Sequence, residues 1–580
     1  MQDGIMGSMI KQQIISELKK VLSELGIEDI KPAVEYAKEA KFGDYSSNIA
    51  LIAGKKIARL QSPERSDGGQ GKNPMTLAED LKAKIDLELI EKIDVATPGF
   101  INFWVKDEAL FQSLSSEDTK LKTSFSGKRV MVEFAHPNTH KAFHIGHLRN
   151  ITTGESIIRL FEESGVKVIR VNYQGDVGMH IAKALFGLLQ ISDLKSEISN
   201  LNDVRKRVSF LGKAYASGSK AFEEDEVARK EITEINKKIY ARDTSIWELY
   251  QTTRQWSLDY FEEIYSRVDS KFERYYFESE VYESGKKTVL EGLKKGIFEE
   301  SKGAIIFPGG KFALHDRVFI TGEGNPTYEG KEMGLGRLQF DEYHPDQIIH
   351  VVGPEQAGYF KVVFEALSQL FPETKGKEYH LAYGWVKLKE GKMSSRTGNV
   401  VLGEWLLDSA KEKIKQEHPD IKDEVAEEVG VGAVKYSFLK VSTGQEIAFD
   451  LEESISFDGN SGPYLQYTYA RTQSVLAKGG DSDPQFKSSS YQLEPEERDL
   501  LKLLARFPEI VAEAAERLAP NVLCTYLFEL AQNFNLFYQK HQIIKAEEEA
   551  KKFRLGITKA TGETIKKGLH LLGIKAPDKM

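Results

Sequence analysis

The chain has 580 residues, 41% hydrophobic and 29% charged, an ordinary balance for a soluble globular protein and too long for one core, so roughly three or four domains are expected. No run of about twenty apolar residues occurs to span a membrane, and the single cysteine, Cys524, excludes an intramolecular disulfide or a Cys-rich zinc knuckle and suits the cytoplasm. A net charge of -9 argues at first sight against a nucleic-acid partner, but phosphate contacts depend on local Lys and Arg rather than on the sum over the surface.

Residues 1–8 have neither a basic start nor an apolar stretch, so they read as a leader or tag-like segment ahead of Met9 and not as a signal peptide. Residues 9–115 form a first unit: a helix from Ile10, the loop Lys41-Phe-Gly-Asp-Tyr, a second helix, a polar Gly-rich insertion between Gln61 and Asn73, and a closing strand from Gly99. Residues 116–128, rich in Ser, Lys and Thr, read as a linker. At Arg129 a β-branched run opens the second unit, 129–450. Strand, helix (His147 to Ser164, ended by Gly165) and strand follow within about 45 residues, a βαβ unit that demands a parallel sheet and a right-handed crossover. The charged, helical stretch at about 193–295 reads as an insertion into that domain. Residues 451–580 carry helical periodicity without a convincing strand and read as an all-α bundle.

Between the first strand of the sheet and its helix lies Pro137-Asn-Thr-His-Lys-Ala-Phe-His-Ile-Gly-His147. Ligands of parallel sheets sit at the carboxyl ends of the strands, where helix N-termini offer free N–H groups to phosphates. His144 and His147 stand where the helix begins and could donate to phosphate oxygens as charge develops, while Gly146 leaves room for an adenine ring near the backbone. Neither a Walker-type loop nor a dinucleotide fingerprint is present, so ATP would bind by another device. A rival reading takes His136, His140, His144 and His147 as zinc ligands on one helix face, and a third takes them as a His-rich loop of no consequence. Far downstream, Gly391-Lys-Met-Ser-Ser-Arg-Thr-Gly-Asn399 is a glycine-flanked cationic loop after a strand, able to carry Lys392 onto a leaving pyrophosphate; alone it equally reads as solvated surface.

Together, His144-Ile-Gly-His147 and Lys392-Met-Ser-Ser-Arg396 resemble the paired signatures of class I aminoacyl-tRNA synthetases, and the resemblance narrows to arginyl-tRNA synthetases. The runs from Val132, Val171, Pro326, Val351, Gly462 and Phe534 are similar to blocks of that family in family order, and Lys41-Phe-Gly-Asp-Tyr and Pro98-Gly-Phe-Ile-Asn102 resemble its N-terminal tRNA-contacting domain. The implied fold is a multidomain α/β protein. It has a Rossmann-type parallel-sheet catalytic domain, an N-terminal α+β domain that binds the tRNA elbow, and a C-terminal all-α anticodon-binding bundle.

The resemblance implies ATP, with Mg2+, held by Pro137, His144, Gly146 and His147 and by Lys392, Met393, Ser394 and Ser395, with no structural metal in the protein. Ser395 stands where the usual loop has a second lysine. Lys141, just ahead of His144, matches the compensating lysine of relatives with degenerate loops, and Lys141, His144, His147 and Lys392 are the expected catalytic set. A guanidinium offers five N–H donors in a plane and stays charged, so its pocket needs carboxylates and an aromatic or hydroxyl wall. By resemblance Tyr328 and Glu332 meet the guanidinium, and Glu133, Asn138 and Gln356 hold the amino and carboxylate groups.

The implied reaction is attack of the arginine carboxylate on the α-phosphorus of ATP, followed by transfer to a ribose hydroxyl of the terminal tRNA adenosine, with the first step requiring bound tRNA. Phe100 and Asn102 are expected at the tRNA elbow. Tyr464, Gln466, Tyr467, Arg471 and Tyr538 are expected at the anticodon, where splayed bases need stacking faces and donors, although such a stripe equally reads as core. A cytoplasmic monomer suits the family. The alternatives are a class I synthetase for glutamine, glutamate or cysteine, and a catalytically silent synthetase-like tRNA-binding protein.

Overall fold

Residues 9–37, 39–61, 73–115, 121, 123–389, 401–479 and 491–580 are described by a computed structural model of the chain. The leader-like residues 1–8, the polar run between Gln61 and Asn73, and the loop bearing Lys392 lie outside the described residues.

The first unit is built on α1 (Ile10–Glu24), which buries Ile10, Ile14, Leu18, Val21 and Leu22 along one face. Strands β1 (Glu35–Tyr36) and β2 (Tyr45–Ser47), helices α2 (Ile49–Gln61) and α3 (Pro74–Lys82), and strands β3 (Ile90–Ala96) and β4 (Phe100–Val105) follow. The strands form one antiparallel sheet in the order β1-β2-β4-β3. Its packing follows from β4, where Ile101, Phe103 and Val105 alternate inward. After α4 (Asp107–Ser115), the described part of the expected linker is no free tether. Leu121 and Phe125 are buried, and the Phe125 ring lies 4.8 Å from that of Phe161.

The sheet domain runs β5 (Arg129–Glu133), α5 (Ile145–Glu163), β6 (Lys167–Gln174), α6 (Met179–Leu189), then α7 (Leu194–Ser199), α8 (Val204–Glu224), α9 (Glu226–Ala241) and α10 (Thr244–Arg267). Helices α8 to α10 close over α6 with a core of their own, including Ile181, Leu185, Ile232 and Trp256. The stretch read as a helical insertion to about 295 therefore belongs to this helical cluster only to Arg267. It is followed by β7 (Arg274–Phe277), which pairs with β6 as the outer strand of the sheet, and by α11 (Glu278–Lys294). Four aromatic and basic residues are too short a run to announce a strand amid so much helix.

A small antiparallel sheet of β8 (Glu299–Ser301), β9 (Ala304–Phe307) and β10 (Arg317–Ile320) precedes α12 (Tyr328–Tyr343). Then come β11 (Gln347–Val352), α13 (Ala357–Leu370), β12 (Glu378–Ala382) and β13 (Val386–Leu388). The main sheet is parallel throughout, in the order β12-β11-β5-β6-β7. Chain order reverses between β5 and β11, which opens a crevice above their carboxyl ends. Asn150 of α5 spans that opening: its Oδ1 accepts from the Ala135 N–H at 2.7 Å and its Nδ2 donates to the Val351 carbonyl at 2.7 Å.

Among the described residues the rest of the chain is helical apart from β14 (Ile447–Phe449), which pairs with β13: α14 (Gly403–Glu417), α15 (Asp423–Leu439), α16 (Leu451–Ile455), α17 (Gly462–Gly479), α18 (Pro495–Glu516), α19 (Pro520–Lys540) and α20 (Glu548–Leu571). Two polar seams join the bundle to the other units. On α5, Arg159 donates to Glu155, to Asp269 and to the His570 carbonyl of α20. On α18, the buried Glu509 accepts from the Lys11 N–H at 2.8 Å and the Tyr36 hydroxyl at 2.6 Å, capping α1, which has no side-chain cap of its own. Beside it Arg498 donates to Asp44 and Asp107. Asp44 and Tyr45 of the Lys41-Phe-Gly-Asp-Tyr run are thus buried in this seam.

Candidate active site

Above the crevice lies a cavity of about 1010 Å³ whose walls include Glu133, Asn138, His144, Glu278, Glu332 and Gln356. The sheet delivers Glu133 at the end of β5, and the chain then turns sharply through Ala135 and His136, both at positive φ (77° and 51°). This costly conformation is held by the Asn150 bond to Ala135 and by the Asn172 side chain, which accepts from the His136 N–H.

Helix α5 begins on His144 and its cap consists of two histidines. His144 Nδ1 accepts from the Gly146 N–H at 3.1 Å and from the His147 N–H at 3.4 Å, and His147 Nδ1 accepts in return from the His144 N–H at 3.2 Å. The rings stack with centroids 3.7 Å apart. A Cβ on residue 146 would stand 3.0 Å from the His144 ring, so only glycine fits under the stack without displacement. Because each Nδ1 accepts, the proton of each ring resides on Nε2. Burial, then the Lys141 charge, lowers the His144 pKa, and burial, then His144, takes His147 well below the ordinary value. Both imidazoles are neutral donors at the positive end of a helix.

The four histidines do not converge. His140 is buried between the hydroxyls of Thr139 and Thr253, at 3.2 and 2.8 Å, and pins the loop to α10. His136 turns its Nδ1 to the Tyr173 carbonyl. Among the described residues no group of three or more His, Cys, Asp and Glu could hold a metal ion.

The floor of the cavity is acidic. Glu133 is buried, and burial opposes its charge, but His350 holds it below the usual carboxylate range. The His350 ring bridges Glu133 at 3.1 Å and Glu378 at 2.6 Å; burial disfavours its charge, yet the two carboxylates carry its pKa well above the ordinary value. Glu332, one turn into α12, has its carboxyl pushed up to about 8 by burial and then by the Glu133 charge. Glu278 enters from the start of α11. Tyr328 stands at the rim, 64% exposed. Asn138 forms an isolated bridge with Gly175, where a Cβ would come within 2.1 Å of the Asn138 Oδ1.

The predicted residues Glu133, Asn138, His144, Gly146, His147, Tyr328, Glu332 and Gln356 thus meet in one cavity. Pro137 does not line it; it is buried beneath the turn. Lys141 is exposed on the approach, its ammonium 5.9 Å from the centre of the Tyr215 ring. Lys392, Met393, Ser394 and Ser395 fall outside the described residues, but the chain on either side of them lines the same cavity through Leu388 and Val401, and the Ile145 N–H donates to the Val401 carbonyl at 2.9 Å. Glu278, His350 and Glu378 were missed. Glu278 follows a strand of only four residues that the sequence does not announce, and nothing in the sequence marks His350 and Glu378, two buried residues that touch only across strands.

In the C-terminal bundle, Arg471 lies between two exposed rings, 4.9 Å from the centre of Tyr467 and 5.3 Å from that of Tyr538. The three line a second cavity of about 1440 Å³, where Lys478, Lys540 and Lys545 stand nearby. Tyr464 is half-buried, its hydroxyl accepting from Asn535. Gln466 departs from expectation: it is fully buried and its amide donates to the carbonyls of Glu428 and Lys575, so it packs the bundle instead of facing a base. Asn102 is likewise buried, bonded to Ser46, leaving Phe100 as the exposed residue of that pair.

Comparison with known proteins gives three family matches: "Arginyl tRNA synthetase N terminal domain" over residues 8–105, "tRNA synthetases class I (R), catalytic domain" over 110–451, and "DALR anticodon binding domain" over 465–580. Among curated relatives, proteins named arginine–tRNA ligase from Phocaeicola vulgatus and Borreliella afzelii are each 31% identical, over 84% and 91% of this chain and 87% and 96% of their own lengths. The solved Thermus thermophilus arginyl-tRNA synthetase superposes with a TM-score of 0.80 at 25% identity, covering 99% of this chain and 100% of that one. The Plasmodium falciparum enzyme shares the fold, with a TM-score of 0.79 at 21% identity over the full length of both chains.

Proposed function

The chain belongs to the arginyl-tRNA synthetase family, the arginine–tRNA ligases of class I, and on that premise we propose that the cavity above β5 and β11 is where it joins arginine to ATP and then to tRNA. The supporting observation is the meeting, at one topological switch point, of a neutral histidine pair on a helix N-terminus with three buried carboxylates. The first suits a phosphate chain, the second a side chain that is a permanent planar cation.

In this reading Glu133, Asn138 and Gln356 hold the amino and carboxylate groups of arginine, and Tyr328 with Glu332 and Glu278 receives its guanidinium. The carboxylate attacks the α-phosphorus, the bond to the β-phosphate oxygen breaks, and pyrophosphate leaves with its electron pair. Nε2–H of His144 and of His147 donates to phosphate oxygens as charge builds, from a dry, preorganised cap. Mg2+ enters with the phosphates of ATP. Lys141 and Lys392 supply the cations for the departing pyrophosphate, a role supported by the flanks of the Lys392 loop lying against α5. A ribose hydroxyl of the terminal tRNA adenosine then takes the arginyl group, and no protein nucleophile is needed.

Arg471, Tyr467 and Tyr538 offer the anticoding bases a stack, and Phe100 offers the tRNA elbow a face. Among the described residues no helix is long and apolar enough to cross a membrane. We place the work of the protein in the cytoplasm as a monomer, consistent with a lone buried Cys524. The test is ATP–pyrophosphate exchange, with tRNA present, for each of the twenty amino acids. Arginine alone is expected to support it; exchange driven by glutamate and not by arginine overturns the assignment of substrate, and no exchange with any amino acid would leave a silent tRNA-binding protein.

A further inference from the structure

Against the acidic floor of the cavity the chain holds a cation of its own. Lys331, in the first turn of α12 and 5% exposed, places its Nζ 2.5 Å from Oε2 of Glu278 and 5.1 Å from the centre of the Tyr328 ring. The other oxygen of Glu278 turns toward the carboxyl ends of the sheet, where a Cβ on Gly175 would lie 3.4 Å from Oε1. One oxygen is thus held by the protein, and the other lies beside Gly175, which lines the cavity together with Glu278. A buried ion pair of this kind adds little to stability over an apolar pair of the same volume, although either partner alone would be an uncompensated charge.

We propose that Lys331 is a specificity-determining residue, a fixed ammonium that occupies one face of Glu278 and turns the cavity against lysine while still admitting a guanidinium. A lysine substrate would bring a compact, strongly hydrated charge to a carboxylate already shared with a like charge. The guanidinium of arginine spreads the same charge over a plane with five donors. It can take Oε1 of Glu278 along one edge and Glu332 along another, keeping its charge further from Lys331. This inference rests on the reading of the cavity as the arginine site.

The experiment is steady-state aminoacylation by the full-length enzyme with tRNA, arginine as substrate and L-lysine as competitor. Lys331→Gln keeps an N–H donor for Glu278 but removes the charge, and Lys331→Arg keeps the charge. Lys331→Gln is expected to lower the inhibition constant of lysine at least tenfold while the KM for arginine moves less than threefold; Lys331→Arg is expected to keep the wild-type ratio. A folded Lys331→Gln enzyme whose lysine inhibition constant stays within twofold of wild type overturns the proposal, as does one in which both constants rise together, the signature of a purely structural pair. Should Lys331→Gln fail to fold, Lys331→Met is read by the same two constants. A wild-type enzyme inert toward arginine would sink the reading of the cavity itself, a result distinct from normal arginine charging with unaltered lysine rejection.

Discussion

Glu133 and Glu332 line one cavity, the first from the end of a strand and the second from one turn into a helix, and their surroundings leave them with different charges. The imidazolium of His350 holds Glu133 ionised; at Glu332 burial and then the Glu133 charge outweigh the His350 charge and a hydrogen bond with Tyr359, and raise the carboxyl to about 8. Two similar side chains therefore stand in one cavity in different protonation states at neutral pH.

A pH dependence follows. Below about 8 the empty site holds a proton on Glu332, and a guanidinium favours the carboxylate, so binding arginine must expel that proton. The KM for arginine is expected to fall as pH rises from 6.5 toward 8, by at most about tenfold per unit, and to level off above it. Calorimetry of arginine binding in two buffers of different ionisation enthalpy should register proton release, and Glu332→Gln should remove it. Uptake, or no proton change, refutes the assignment.

His144→Asn separates capping from chemistry. Asparagine is itself a good N-cap, so stability should stay within about 1 kcal/mol of wild type. Adenylate formation should fall by about 10²–10³, the usual cost of losing one preorganised donor. Thermal unfolding and single-turnover activation give the two numbers; an unchanged rate would remove His144 from the chemistry.

Lys141→Ala tests the compensating cation. The residue is exposed and its ammonium rests near Tyr215 without an ion pair among the described residues, so the melting temperature should scarcely move while kcat for activation drops at least tenfold. A kcat near wild type rejects the role.

Gly175→Ala would drive a methyl group to within 2.1 Å of Asn138 Oδ1. Overpacking of this kind costs about 1–3 kcal/mol, and the displaced Asn138 should raise the KM for arginine about tenfold with a smaller effect on the KM for ATP. Equal changes in both would argue that Asn138 does not face the amino acid.

Arg471→Ala removes the cation that holds Tyr467 and Tyr538 as a pair. With stacking at about 1–3 kcal/mol per base, the KM for tRNA should rise about tenfold or more while that for arginine stays put. A titration against tRNA with the anticodon bases replaced would then show the wild-type advantage shrinking.

Much of this was legible in the sequence because it is local. A β-branched run ending in Glu133, a turn, and two histidines three apart predict a strand, a crevice and a helix start before any coordinates. What stayed hidden is what forms across the chain. His350 reads as one more residue of an apolar strand until the sheet sets β11 between β5 and β12 and so brings Glu133 and Glu378 to its two nitrogens. Gln466 and Asn102 sit in motifs whose resemblance placed them at the tRNA, but periodicity cannot tell an outward polar side chain from one satisfied inside, by carbonyls at Gln466 and by the Ser46 hydroxyl at Asn102. Asp44 carries the same lesson, for its partner Arg498 lies at the far end of the sequence.

That last separation bears on how the protein comes into being. The N–H of Lys11 finds its acceptor on Glu509, 498 residues further along, so the end of α1 is completed only when α18 has docked against it, and the first unit and the bundle finish one another.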